Sequence, residues 1–220
     1  MTAEVGDPIA WRYENEHPSD WDYRDTYKWV NDYPICGGSQ QSPINLESYN
    51  AIESFGPPLR FINYNAPFIK KLTIENNAHS AEIALHETVR GTRPIITGGL
   101  LEGEYEAHSA HFHWGSLLSK GSEHSINGLR YDGELHIVHK NMKYGNAHEA
   151  SRHRDGIAVL SILINISDNL SKTYHGLNKV FNILPKIKQY GTNTTISQDL
   201  SLNYFLGHIN TQHFYSYKGV

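Results

Sequence analysis

The sequence predicts a mostly β protein with a few short helices, and three observations carry that reading. Six short runs between Leu72 and Ile166 have strand character. One of them, Ile157-Ala-Val-Leu-Ser-Ile-Leu-Ile164, is nearly all apolar, which predicts a strand covered on both faces. Leu177, Val180, Phe181 and Leu184 recur at helical spacing, and helices are expected to be few and short.

Along the chain, the first fifty residues carry Trp11, Tyr13, Trp21, Tyr23, Tyr27, Trp29 and Tyr33, punctuated by Pro18, Pro34 and Pro43. Disordered segments are poor in aromatics, so this stretch is expected to wrap over a core. Strands are expected at Leu72–Glu75, Ser80–Leu85, Ile95–Thr97, Glu104–Trp114, Glu134–Asn141 and Ile157–Ile166. After the polar run Ser167–Thr173 comes the helix, which Pro185 is expected to end. Nothing between Leu59 and Ile166 has linker composition, and there is no repeat or low-complexity tract, so residues 1–220 are expected to form a single domain.

Composition narrows the function classes. With 19 Lys and Arg against 23 Asp and Glu, the formal charge of −4 argues against a nucleic-acid partner. No apolar run is long enough for a transmembrane segment. The start, Met-Thr-Ala-Glu-Val-Gly-Asp, lacks the apolar core of a signal peptide, which leaves a cytoplasmic chain or one whose leader has been removed. Cys36 is the only cysteine, so no bridge can form within the chain. Asn165, Asn169 and Asn193 each open a glycosylation tripeptide. Asn165 ends a buried-looking strand, and Asn193, in a polar loop, is the better acceptor.

The chemistry is concentrated in two of the strands. His111 and His113 are two apart, so a strand presents both imidazoles on one face. Chance alone supplies about one His-x-His pair in 220 residues with 14 His, so the pair by itself decides little. Its surroundings decide more. His136 on an adjacent strand can supply a third imidazole, Glu134 precedes it by two on the same face, and Gly121-Ser-Glu-His124 lies between. Three neutral imidazoles leave a tetrahedral Zn2+ one open position, the mark of a catalytic rather than a structural site. A carboxylate on that face can accept the second N–H of a ligand imidazole and fix its tautomer.

These motifs together resemble the α-class carbonic anhydrases. The match runs in order through Trp11-Arg-Tyr13, Gly37–Leu46 with Gln41-Ser-Pro-Ile-Asn45, Asn76-Asn-Ala-His79 and His111-Phe-His-Trp-Gly115. It continues through Gly121-Ser-Glu-His124, Glu134-Leu-His-Ile-Val-His139, Lys143-Tyr-Gly145, Asp155-Gly-Ile-Ala-Val-Leu160 and Tyr215-Ser-Tyr-Lys-Gly219. The resemblance implies a central, twisted, mostly antiparallel β-sheet with peripheral helices and a conical cavity reaching zinc. It implies reversible hydration of carbon dioxide to bicarbonate and a proton by a zinc-activated water, with His111, His113 and His136 as ligands. His79 matches the proton shuttle, and Glu123 the acid that orients a gatekeeper hydroxyl. Glu134 matches the partner of the third ligand. Tyr13, Asn77 and Glu82 match the wet side of the cavity, and Val138 and Val159 its apolar wall.

The chain also departs from the family pattern. Ser109 stands where Gln usually supports the first ligand, so a shorter side chain or water must reach His111, and Lys140 stands where Trp usually follows His139. Family members run on from a segment like Tyr215–Gly219 into Ser-Leu-Thr-Thr-Pro-Pro-Cys, which holds the gatekeeper. This reading expects the natural chain to continue past Val220, and expects weak turnover if it does not. The alternative function is a catalytically impaired relative acting as a binding or extracellular matrix protein. Such relatives usually lose a ligand His, and all three are present. A cupin-type dioxygenase would need an acidic residue where Leu117 and Leu118 stand. Ile35-Cys-Gly-Gly38 and the Asn193 tripeptide resemble extracellular members, which favours a secreted glycoprotein over a cytoplasmic enzyme.

Overall fold

The computed structural model describes residues 26–116, 118–166, 175–196, 199–207 and 209–219. Tyr13 and Asn169 lie outside them. Eleven strands are present among the described residues. They are β1 (Asn45–Leu46), β2 (Arg60–Ile62), β3 (Thr73–Asn76), β4 (Ala81–Ala84), β5 (Ile95–Thr97), β6 (Glu104–Trp114), β7 (Ser125–Ile126), β8 (Leu129–Arg130), β9 (Gly133–Asn141), β10 (Ile157–Ile164) and β11 (Asn193–Thr195). The helices are short: α1 (Trp29–Asp32), α2 (Ala147–Ala150), α3 (His175–Phe181) and α4 (Asn203–Leu206). The main sheet runs β10-β9-β6-β4-β3-β11, every pair in it is antiparallel, and β5 joins β2 to β6. A small sheet, β1-β7-β8, covers one end, its β7–β8 hairpin closing on Asn127-Gly128 with both residues at positive φ. Asn-Gly suits that two-residue turn because both residues tolerate the left-handed region.

The alternation of the strands divides the main sheet into two chemically different faces. Ile74, Ala81, Ile83, Ala110, Phe112, Leu135 and Ile137 point one way and are at most 1% exposed. Leu177, Val180, Leu202 and Phe205 pack beneath them, and the Phe112 ring meets Phe181 and Phe205 edge-on at 5.7 and 6.1 Å. Removing such side chains from water, at about 1.5–3 kcal/mol each, is what holds the helices against the sheet. The other face carries Glu82, His111, His113, Glu134 and His136.

One irregularity sets the relation between these histidines. The pairing of β6 with β9 shifts by one residue between Ala107 and Ser109, leaving His108 as a bulge. Beyond it, His111 stands opposite His136 and His113 opposite Glu134. Without the extra residue His111 would face Leu135, and His136 would lie on the opposite side of the sheet, because a one-residue slip reverses the face.

Four sequence expectations are corrected. The apolar run in β10 is not covered on both faces: only Ile162 is buried, and Val159 is 50% exposed. Among the described residues β10 pairs with β9 alone, so Val159 gains no cover from a second neighbour. The helix ends at Phe181, before Pro185, which instead opens a 3-10 turn at Leu184–Ile187; a first-turn position has no N–H to lose. The described part of the aromatic N-terminal stretch does not bury its rings, since Tyr27 is 72% exposed and α1 has no buried residue. Asn193 lies in edge strand β11 rather than a polar loop, although it is exposed there.

Buried polar groups tie stability to pH. His139, on the core face, is fully buried and meets the Tyr64 hydroxyl at 2.5 Å. Burial holds its imidazole down to about 4, against the ordinary 6.5 of an exposed one. The unfolded chain therefore binds more protons between these values, so this contribution is intact above pH 6.5 and is lost as pH falls toward 4. Urea titrations at pH 7.5 and 4.5 are expected to differ by about 2–3 kcal/mol from this group alone. A His139→Gln variant whose stability changes just as steeply with pH would assign the effect elsewhere.

Candidate metal centre

The site grows from neighbouring strands and the loop before β9. β6 presents His111 and His113, β9 presents Glu134, His136 and Val138, and β4 places Glu82 opposite His111. The turn between β3 and β4 places His79. Asn76 Oδ1 accepts the Ala78 N–H at 2.9 Å, and Asn77 Oδ1 accepts the N–H groups of His79 and Ser80 at 3.1 and 2.8 Å. These side-chain acceptors hold Ala78 at φ 77°, a conformation that a non-glycine residue rarely adopts unaided.

The three imidazoles converge. Their ring centroids are 5.0, 5.0 and 4.9 Å apart, and His136 Nδ1 lies 3.2 Å from His111 Nε2. Nitrogens bound at 2.0–2.1 Å to one tetrahedral zinc stand about 3.3 Å apart, so the spacing fits that ion. Burial, reinforced by neighbouring imidazoles, pushes His111 down to about 4 and His113 to about 3, which keeps their lone pairs available near neutral pH. A second trio, His124, Glu134 and His136, also lies within ligand distance. There the nitrogen–oxygen distances are 2.5 and 2.6 Å, too short for two ligands of one metal and right for shared protons.

Glu134 organises the floor. It is fully buried, and its Oε1 accepts from His136 Nε2, His124 Nδ1 and the Ser161 hydroxyl. Its Oε2 accepts the Glu123 and His124 N–H groups at 2.8 Å each. Burial alone would raise this carboxyl, but the bonds from His124, His136 and Ser161 hold it well below the usual carboxylate range. An ionised carboxylate only accepts, so His136 donates to it through Nε2, which leaves Nδ1 as the ring nitrogen that faces His111. His124 extends the chain outward: its Nε2 is 2.6 Å from the Tyr217 hydroxyl, which is 2.6 Å from Ser42 Oγ. Sequence reasoning did not assign His124 or Tyr217 to the site, though both lie within motifs that carry the resemblance.

A cavity of about 300 Å3 opens above the triad. His111, His113, Ser109 and Val138 line it, with Asn77, His79, Ser80 and Glu82 on the polar side, where Asn77 donates to Glu82 at 3.0 Å. Val159 stands beside Val138 in register but does not line the cavity. Ser109 lines it yet makes no hydrogen bond to His111 among the described residues. Glu123 approaches the triad itself, with Oε2 3.2 Å from His113 Nε2. Lys140 turns away into an ion pair with Glu106 at 3.0 Å and donates to the Tyr144 carbonyl at 2.7 Å. Cys36 is a free, exposed thiol.

Residues 24–220 match the eukaryotic-type carbonic anhydrase family. The chain belongs to that family. It is similar to Carbonic anhydrase 6 of Canis lupus familiaris, 35% identical over 212 residues, and to Carbonic anhydrase 6 of Homo sapiens, also 35% over 212. It is similar to Carbonic anhydrase 7 of Homo sapiens, 34% identical over 170 residues. The aligned regions take in 93%, 93% and 77% of this carbonic anhydrase family chain, which spans 62%, 65% and 61% of the length of those relatives. No helix among the described residues is long and apolar enough to cross a membrane.

Proposed function

We propose that the chain catalyses the zinc-dependent, reversible hydration of carbon dioxide to bicarbonate and a proton. The observation that carries this reading is the convergence of His111, His113 and His136, with ligand atoms within 4.8 Å of one another and His111 Nε2 3.2 Å from His136 Nδ1, beneath an accessible cavity. His111, His113 and His136 hold the ion, and Glu134 keeps His136 in the tautomer that can bind it. When bound, zinc supplies an acidified water able to add to carbon dioxide near neutral pH, a property for which carbonic anhydrase is the standing example. Val138 offers the apolar surface where carbon dioxide rests, with Val159 next to it in register. Asn77 and Glu82 order water on the opposite side, where the resemblance also puts Tyr13. His79, at the cavity edge, takes the released proton outward, since imidazole is the side chain suited to exchanging protons near neutrality. Ser109 leaves the support of His111 to water, and Glu123 supplies a carboxylate beside the open face of the triad.

The chain acts as one domain and outside the cell in this reading. Exposure of Asn193 and Cys36 suits a glycan acceptor and a thiol that pairs beyond these residues. Stopped-flow hydration by the zinc-loaded 220-residue chain tests the activity. A rate above the uncatalysed reaction, lost on chelation and regained with zinc, is expected. His79→Ala is expected to lower the rate at least about tenfold in weak buffer, with recovery on adding imidazole. A metal-loaded chain with no rate above background overturns the proposal.

A further inference from the structure

One carboxylate stands on the wall of the cavity and not beneath it. Glu82 pairs with His111 across β4 and β6, so the two side chains share the cavity face. Residues directly opposite each other on antiparallel strands have Cβ atoms about 4.5–5.5 Å apart, which puts Glu82 one side chain away from the triad. Its direction is set from the turn that carries His79. Asn77 Oδ1 accepts the N–H groups of His79 and Ser80, at 3.1 and 2.8 Å, so the amide is held one way round and its NH2 end faces Glu82. That NH2 donates to Glu82 Oε2 at 3.0 Å. A neutral amide positions the carboxylate without cancelling its charge. Among the described residues that line the cavity there is no Lys or Arg, and Glu82 is the one carboxylate. Glu123 and Glu134 carry the same sign, but they sit against His113 and His136 and do not line the opening. A cleft lined by one sign of charge focuses that field across its opening.

We propose that Glu82 sets the anion selectivity of the metal centre: its charge on the cavity wall weakens the hold of small monovalent anions at the position the three imidazoles leave open. The inference rests on the metal-centre reading above and adds a specificity-determining residue to it. A like charge about 8 Å away weakens anion binding roughly twofold at the dielectric constant of water and roughly thirtyfold at that of a protein surface. Neutral ligands meet no such repulsion. Carbon dioxide is uncharged and enters unhindered, whereas bicarbonate is an anion and its departure is favoured.

Cobalt(II)-loaded protein titrated with azide and with imidazole, followed by visible absorption, tests this without relying on turnover. At about pH 8 azide is an anion, while imidazole is mostly neutral. Glu82→Gln removes the charge, nearly keeps the shape and can still accept from Asn77, and Glu82→Asp keeps the charge. Glu82→Gln is expected to bind azide at least about threefold more tightly than wild type, with imidazole changing by less than about twofold. Glu82→Asp is expected to stay close to wild type with both ligands. The azide difference is expected to shrink between about 0.01 and 1 M of a non-coordinating salt, as the screening length falls from about 30 to 3 Å. Unchanged azide affinity in Glu82→Gln overturns the proposal. An equal gain for azide and imidazole assigns the effect to space rather than charge and overturns it as well, as does Glu82→Asp binding azide as tightly as Glu82→Gln. A Glu82→Gln chain that loses cobalt while wild type holds it makes Glu82 a support of the site, which is a third way for the proposal to fail. If wild type takes up neither cobalt nor zinc, the metal-centre reading itself falls, and this inference with it.

Discussion

Replacing Glu134 with alanine is expected to destabilise the metal-free protein by about 3–5 kcal/mol, the cost of breaking a buried charged network by removing one partner. Five donors meet this one carboxylate: His136, His124, Ser161 and the main-chain N–H groups of Glu123 and His124. Removing it leaves the two main-chain donors stranded and frees the loop before β9. Glu134→Gln is expected to do nearly as much harm. Donors approach both oxygens, so whichever way the amide turns, its NH2 faces another donor. Urea unfolding of both variants without metal reads the effect directly. A loss below about 1 kcal/mol for both, the worth of an ordinary surface contact, would mean the network does not hold the floor together. The same variants are expected to bind zinc on the order of 10–100-fold more weakly, because His136 loses the partner that sets its tautomer.

His136→Ala is expected to have the largest effect on the metal. Its Nδ1 is the donor that β9 contributes to the triad, and it closes the triangle with His111 and His113. Structural zinc sites with four protein ligands hold the ion with about 10–16 kcal/mol, or roughly 3 kcal/mol per ligand. Losing one ligand therefore weakens binding on the order of a hundredfold or more. Competition against a chelator of known affinity measures this, and elemental analysis gives the stoichiometry. If His136→Ala keeps zinc at wild-type affinity, the ion sits elsewhere. Stability separates the two roles of this residue: His136→Ala removes only one of the donors to Glu134, so its metal-free form is expected to unfold at higher urea than Glu134→Ala.

Several features could be read along the chain because they repeat over two to four residues. The spacing of His111 and His113 puts both on one strand face, and Glu134 and His136 share a face for the same reason. The strands at Ile95–Thr97 and Glu104–Trp114 appear with the bounds their residues imply. The β7–β8 hairpin was equally local, marked by Asn127-Gly128, and went unread because its strands are only two residues long. Exposure was harder. The apolar run Ile157–Ile164 forms its strand, yet its burial depends on what lies alongside β10, and composition carries no record of neighbours.

By itself, then, the sequence determined which residues could take part: three imidazoles, a carboxylate two residues before the third, and the motifs of the carbonic anhydrase family. The tertiary structure decided how they meet. The bulge at His108 brings His111 opposite His136, and a one-residue difference there would have put them on opposite sides of the sheet. The path Ser42–Tyr217–His124–Glu134–His136 joins residues up to 175 positions apart, and Glu123 reaches the triad only because Glu134 anchors its main chain. Side-chain alternation is a property of a few consecutive backbone angles, so it survives in the sequence. Register and hydrogen-bond partnership depend on which distant segments pair, and that is settled only when the whole sheet has formed.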